Sequence, residues 1–248
     1  MAGSKSPNVD HTIHQGNDIE QLRNCYKSLS ERSEDLEQLG VPWTQRAEFA
    51  AYDIILAMRL GARIIGRSDG QYEAEYPNHP RVQAALTILK AAKAVKQTGS
   101  ATLSTRKQNW NNFWQAVNED SVSYLMACAA ELSFNQIRFA IMRDLKNAYK
   151  PRADGKPGPV NDWTPENLKH ALGFDNHQEV KDFCETYGVG FTMGQNGNEV
   201  LDIQSMSRGK LLEPADLRPQ FHSKDIVEAK RQGRSFSEII QGTQHFEI

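Results

Sequence analysis

The chain has 248 residues, of which 39% are hydrophobic and 24% charged, with a formal net charge of −2. That length accommodates one or two domains and a buried core. The near-neutral balance excludes a global basic field, so any nucleic-acid binding has to come from local patches.

Residues 1–16 are polar and read as a disordered tail. From Asp18 the pattern turns helical, with Ile19, Leu22, Tyr26 and Leu29 at three- and four-residue steps. A mixed-charge stretch ends near Gly40-Val41-Pro42. Thr44 is the expected cap of the next helix, whose apolar face is read as Phe49, Tyr52, Ile55, Leu56 and Leu60. Residues 66–80 read as a connector and 82–96 as a third helix. After a break at 97–100, a helix over 105–117 carries Trp110, Phe113, Trp114 and Val117. At helical spacing these aromatics read as core in preference to a base-stacking platform. A further stripe, Val122, Leu125, Met126, Ala129 and Leu132, precedes Ser133-Phe134-Asn135-Gln136, which has capping-box spacing. The helix after it should bury Ile137, Ile141, Leu145 and Ala148. Residues 151–159 form a proline- and glycine-rich linker.

Residues 160–204 then read as a winged helix. Thr164-Pro165-Glu166 opens one helix, Leu172-Gly173-Phe174 closes it, Asp175 opens a second, and Tyr187-Gly188 ends that. Two strands, 189–193 and 199–203, flank a turn at 194–198. The second helix carries Asp175, Glu179, Asp182 and Glu185 against Lys181, which argues against insertion into a DNA groove and for docking on protein or for lending an edge to a platform made with another subunit. Glu179, Phe183, Val189, Phe191, Val200 and Ile203 are therefore the candidate partner-interface residues. Beyond 205 the chain is irregular, with short helices expected at 223–231 and 235–240. The expected fold is mainly α, a helical stack or solenoid over 17–104 and onward leading into the winged helix.

No P-loop, dinucleotide, zincin or nucleophile-elbow pattern occurs. His11 and His14 read as a solvated tail, His79 as turn chemistry, and the pairs Glu34-Asp35 and Glu119-Asp120 as solvated or dipole-complementing acids. No enzyme, cofactor or metal is expected. Cys25, Cys128 and Cys184 stand far apart and read as small buried hydrophobes in a reducing compartment. No run nears 18 apolar residues, residues 1–5 lack an apolar signal core, and the ending at 244–248 reads as the edge of a piece of something longer.

Basic residues concentrate twice. Arg138, Arg143, Lys146, Lys150, Arg152 and Lys156 face only Asp144 and Asp154. This run is either a solvated helix end or a phosphate-contact strip. The second set, Arg208, Lys210, Arg218, Lys224, Lys230, Arg231 and Arg234, is interleaved with acids. It is either a polar connector or a further set of phosphate contacts. From both, Arg143, Lys146, Lys150, Arg152, Lys156, Arg208, Lys210, Lys230, Arg231 and Arg234 are the candidate nucleic-acid residues.

The segments Ser123-Tyr124-Leu125-Met126 through residue 149, and residues 168–187 with Leu172-Gly173-Phe174-Asp175 and Phe183-Cys184-Glu185-Thr186-Tyr187-Gly188, resemble the SAC/GANP-type PCI family. So do Arg46-Ala47-Glu48-Phe49-Ala50-Ala51-Tyr52-Asp53 and the late Lys230-Arg231-Gln232-Gly233-Arg234-Ser235. The likeness covers roughly residues 17–242. It implies a PCI domain over 105–204 and a scaffold role in a nuclear-pore-associated messenger RNA export complex. It also implies pairing with a second PCI subunit, which a small acidic DSS/Sem-type peptide braces, and a joint nucleic-acid platform. One departure stands at Trp110-Asn111-Asn112-Phe113-Trp114, where the family's arginine is missing, so no contact is carried over there. The readings kept beside this one are a paralogue in splicing- or transcription-linked RNA processing, a subunit of a proteasome-lid-like assembly, and a stand-alone winged-helix regulator of DNA.

Overall fold

The computed structural model describes residues 39–60, 69–97, 101–149, 163–194, 196–203, 206 and 221–240. It is mainly helical with one small antiparallel hairpin, as the sequence predicts.

Helix α1 spans Trp43–Leu60. Pro42 supplies the first carbonyl, accepting from the Gln45 and Arg46 amides at 3.0 and 3.1 Å. The helix therefore starts before Thr44, and the predicted cap does not form. The buried face is Ala47, Ala50, Ala51, Ile54, Ile55 and Met58, rotated from the predicted one; Phe49 is 43% exposed. The alanines let α1 lie close against α3, Pro80–Lys96, which answers with Ala85 and Ala92. The expected connector contains a short helix α2, Asp69–Glu75. It buries Tyr72, whose hydroxyl donates to Asp53 Oδ2 at 3.4 Å. Seven residues are too few to show a helical period.

Helix α4, Leu103–Asn118, begins at a Thr102 cap and buries Trp110, Phe113 and Trp114. They belong to the core, Phe113 and Trp114 meeting Phe134 edge-on at centroid distances of 6.1 and 5.1 Å. Helix α5 is Tyr124–Glu131, capped by Ser123, and α6 is Phe134–Ala148. The predicted capping box at Ser133 is not made. Ser133 sits at φ −101°, ψ −6°, already helical, whereas a capping residue needs extended backbone. Its hydroxyl is buried without a partner, and Gln136 Oε1 accepts instead from Lys96 Nζ at 2.9 Å.

Helix α7, Pro165–Leu172, starts at Thr164, whose hydroxyl accepts from the Asn167 amide, and stops at Gly173 with φ 61°. Helix α8, His177–Thr186, is capped by Asn176, one residue after the predicted Asp175. Strands β1, Phe191–Met193, and β2, Glu199–Leu201, pair Phe191 with Leu201 and Met193 with Glu199. Both are shorter than expected, and β2 gains a rung from the Leu201 amide to the Trp163 carbonyl at 2.9 Å. After Phe221, a turn leads to a 3-10 helix at Glu228–Arg231 and α9 at Phe236–Ile240.

Candidate functional surfaces

The joint between the helical stack and the helix–helix–hairpin module, read from the sequence as a winged helix, is built on Arg138. The side chain is 1% exposed, so it does not belong to a solvent-facing phosphate strip; that part of the basic run is corrected. Its Nε donates to the Leu172 carbonyl at 2.9 Å, its Nη2 to Gly173 at 2.7 Å and its Nη1 to Asn135 Oδ1 at 3.1 Å. The guanidinium lies 3.7 Å from the Phe174 ring centroid. Trp114 Nε1 donates to the Ala171 carbonyl at 2.9 Å. The last turn of α7 thus has its unpaired carbonyls satisfied by side chains from α4 and α6. Burial lowers the Arg138 pKa to about 9, while Glu179, Glu131 and Asp175 pull it back up; it stays protonated at neutral pH. Gly173 completes the fit, because a Cβ there would stand 2.8 Å from the Trp114 ring.

A second joint holds residues 221–234. Asp175 Oδ1 accepts from Ser223 Oγ at 2.9 Å and from the Asp225 amide at 3.3 Å, and Oδ2 accepts from the Lys224 amide at 2.5 Å. Glu131 accepts from the Ser223 amide at 2.6 Å and pairs with His222 Nδ1 at 2.8 Å. Glu228 meets His222 Nε2 at 3.3 Å and accepts from the Tyr124 hydroxyl at 3.1 Å. Beneath this polar ring Ile226 and Val227 are buried, and Phe221 packs on Phe174 with centroids 5.1 Å apart. Asp175 is therefore an anchor for the late segment as well as part of an acidic helix start.

The predicted basic residues separate into groups. Lys150, Arg152, Lys156, Arg208 and Lys210 lie outside the described residues. Lys230 Nζ donates to the Asn118 and Glu119 carbonyls at 3.1 and 2.8 Å, closing the C-terminal end of α4, and burial lowers its pKa. Arg231 bonds the Arg234 carbonyl and Glu228; Arg234 bonds the Arg231 and Lys230 carbonyls. These three spend their donors on their own chain.

Arg143 and Lys146 sit half-buried near the end of α6. Around them the fold gathers cations that sequence reading missed. Arg143 Nη2 donates to the Lys96 carbonyl at 3.4 Å, Arg106 forms an ion pair with buried Asp144, and Lys107 lies 4.6 Å over the Trp163 ring. The available signal was that α3 and α4 contain no Asp or Glu.

Of the partner-interface candidates, Phe183, Val189, Val200 and Ile203 are 0–3% exposed and form the winged module's own core. Glu179 is half-buried and turned onto its own helix start, accepting from the Asp175 amide and Asn176. Phe191 is half-buried on β1. The exposed apolar side chain on the wing is Met193, at 69%. Of the cysteines, Cys184 is fully buried, its thiol pushed up to about 12 by desolvation; Cys128 is half-buried, and Cys25 lies outside the described residues. No described helix is long and apolar enough to cross a membrane.

A stack of paired helices locked to a helix–helix–hairpin module is the arrangement of a helical, PCI-like domain. The pattern of the SAC3/GANP family matches residues 2–193, and the chain belongs to that family. It is 28% identical over 233 residues to "SAC3 family protein 1" of Schizosaccharomyces pombe, covering 92% of this chain and 22% of that protein. It is also 28% identical over 224 residues to "Protein xmas" of Drosophila melanogaster, covering 90% of this chain and 9% of that protein. The chain thus spans less than a quarter of either relative's length.

Proposed function

We propose that this chain is a scaffold segment of a nuclear messenger RNA export complex, and that its winged helix pairs with a second PCI-domain subunit. Membership of the SAC3/GANP family supports the export role. The observation that carries the pairing is the wing. Among the described residues β1 is hydrogen-bonded only to β2, so its outer edge is an open template, and Met193 projects from it largely exposed. On this reading the small acidic DSS/Sem-type peptide braces the partner, and contacts with the nuclear pore belong to parts of the protein beyond this chain. Nucleic acid binds weakly and without base preference, through Arg143 and Lys146 together with Lys150, Arg152 and Lys156.

The test is co-purification with a second PCI subunit, followed by titration. A Met193→Pro substitution on the exposed edge, where the Met193 amide points away from β2, is expected to weaken pairing by about tenfold or more, roughly 1.4 kcal/mol, without changing the circular dichroism. Lys146→Glu with Lys150→Glu should reduce RNA affinity and its salt slope while leaving the pair intact. Undiminished pairing by the edge variant overturns the wing reading.

A further inference from the structure

A groove runs between α3 and α4 on a face that the Arg138 joint and the wing do not use, and the strap reaches it only at the far end, through Lys230 on Glu119. It encloses about 770 Å³ and extends from Ala94 and Asn109 at one end to Pro80 and Ser121 at the other. Ala84, Ala91, Ala94 and Ala116 line it, and these methyl-sized side chains leave the channel open where larger ones would fill it. The α4 wall is Asn109, Asn112 and Gln115.

That wall belongs to a longer pattern. Helix α4 carries six carboxamides in 16 residues, adding Gln108, Asn111 and Asn118, all three exposed. Asparagine is a weak helix former, so local helix stability does not call for this composition. A carboxamide offers a donor and an acceptor together, the same pair that a peptide unit presents.

The charge on the groove is uneven. Lys90 is exposed on the α3 rim, and neither wall helix contains an acid. At the far end Glu119 lies beside the Lys230 ammonium, and Arg81 donates to the Ser121 carbonyl at 2.5 Å. The local field is therefore positive near Lys90. A single lysine on the lining is too few for a phosphate backbone, whose binding needs a row of cations. From Pro80 to Ala94 the wall is about 21 Å long at the helical rise per residue, which holds about six residues of extended chain.

We propose that the α3–α4 groove docks an extended segment of a partner protein. The segment spans about six residues, is small and uncharged through its middle, and carries an acidic side chain beside Lys90. This surface is separate from the wing edge, so the two readings stand or fall independently.

The experiment is selection of random octapeptides displayed on phage against the 248-residue chain. Enriched sequences are then synthesised and titrated by fluorescence anisotropy. Peptides with Asp or Glu at one end and small residues after it are expected. Ala91→Arg should weaken their binding by about tenfold or more, and Thr87→Arg, on the exposed rim, serves as a second block if the first fails to fold. Lys90→Glu should weaken it too, and exchanging the peptide's acid for lysine should restore binding to that variant. The proposal is overturned if no peptides are enriched or if enriched peptides bind the blocked variants equally. It is also overturned if single-stranded RNA displaces them, or if the chain dimerises through this face and Ala91→Arg makes it monomeric.

Discussion

Arg138 decides how the winged module is carried. A guanidinium removed from water needs its donors satisfied, and here they bond the Leu172 and Gly173 carbonyls and Asn135. Arg138→Met keeps the aliphatic volume but leaves those buried carbonyls without donors. We expect a loss of roughly 3 kcal/mol or more in urea unfolding. A change within about 0.5 kcal/mol, the range for an ordinary surface substitution, would mean that the arginine does not hold the joint. In the sequence this residue is the first of several basic side chains along one helical run. Its i−3 and i+3 neighbours are Asn135 and Ile141, a polar residue and an expected core residue, which put it at the border of the apolar face. That border does not reveal its partners, because the carbonyls that it binds are 34 and 35 positions away.

At the scale of elements, residues 221–234 act as a strap fastened by carboxylates. His222 lies between Glu131 and Glu228, and the hydrogen bond to Glu131 is the main cause that raises its pKa above the ordinary value. A raised histidine pKa stabilises the folded strap fully below the unfolded value near 6.5, and this contribution disappears as pH rises through the higher folded value. Glu228 has the opposite sign: Arg231, the largest cause, lowers its pKa. Its contribution is present above the unfolded carboxylate range near 4.3 and is lost as pH falls through the folded value. The strap is therefore tightest in mildly acidic solution. Hydrogen exchange at the Glu228 and Ala229 amides, which bond the Ser223 and Lys224 carbonyls, should quicken above the His222 titration by more than the intrinsic pH dependence. His222→Gln should remove that excess. An excess that survives the substitution would exclude this histidine as its source.

Several elements were legible because their signals are local. Thr164, Gly173 and Tyr187-Gly188 bound the two helices of the winged module as expected, since capping and left-handed termination depend on a few neighbouring residues. Ser133 and Thr44 had capping spacing without capping backbone. In each case the preceding residues set the conformation, which spacing alone does not reveal. Helix α2 lay unseen in a stretch read as connector, because Tyr72 acquires its partner, Asp53, from the distant α1.

At the scale of the molecule, the buried residues of the helical stack, the winged module and the strap form one continuous core. Trp114, Phe134, Phe174 and Phe221 meet around Arg138, so the helices before the 151–159 linker and the segments after it share their packing. We expect urea unfolding to be a single transition, with tryptophan fluorescence and far-ultraviolet dichroism coincident. A fragment comprising residues 163–206 should fail to fold alone. Two separated transitions would instead divide the chain at the linker.

The sequence by itself determined the helical class, the helix–helix–hairpin order, the aromatic core and the likeness to the SAC/GANP type. These follow from apolar periodicity and turn chemistry, which act over a few residues. The tertiary structure decided which charges are surface and which are structure. It buried Arg138, turned Lys230 and Arg234 onto backbone carbonyls, gave Asp175 to the strap and brought Arg106 and Arg143 to one buried carboxylate, Asp144. A charged side chain reads the same in sequence whether it meets water or a carbonyl a hundred residues away, and only the packing of distant elements settles which.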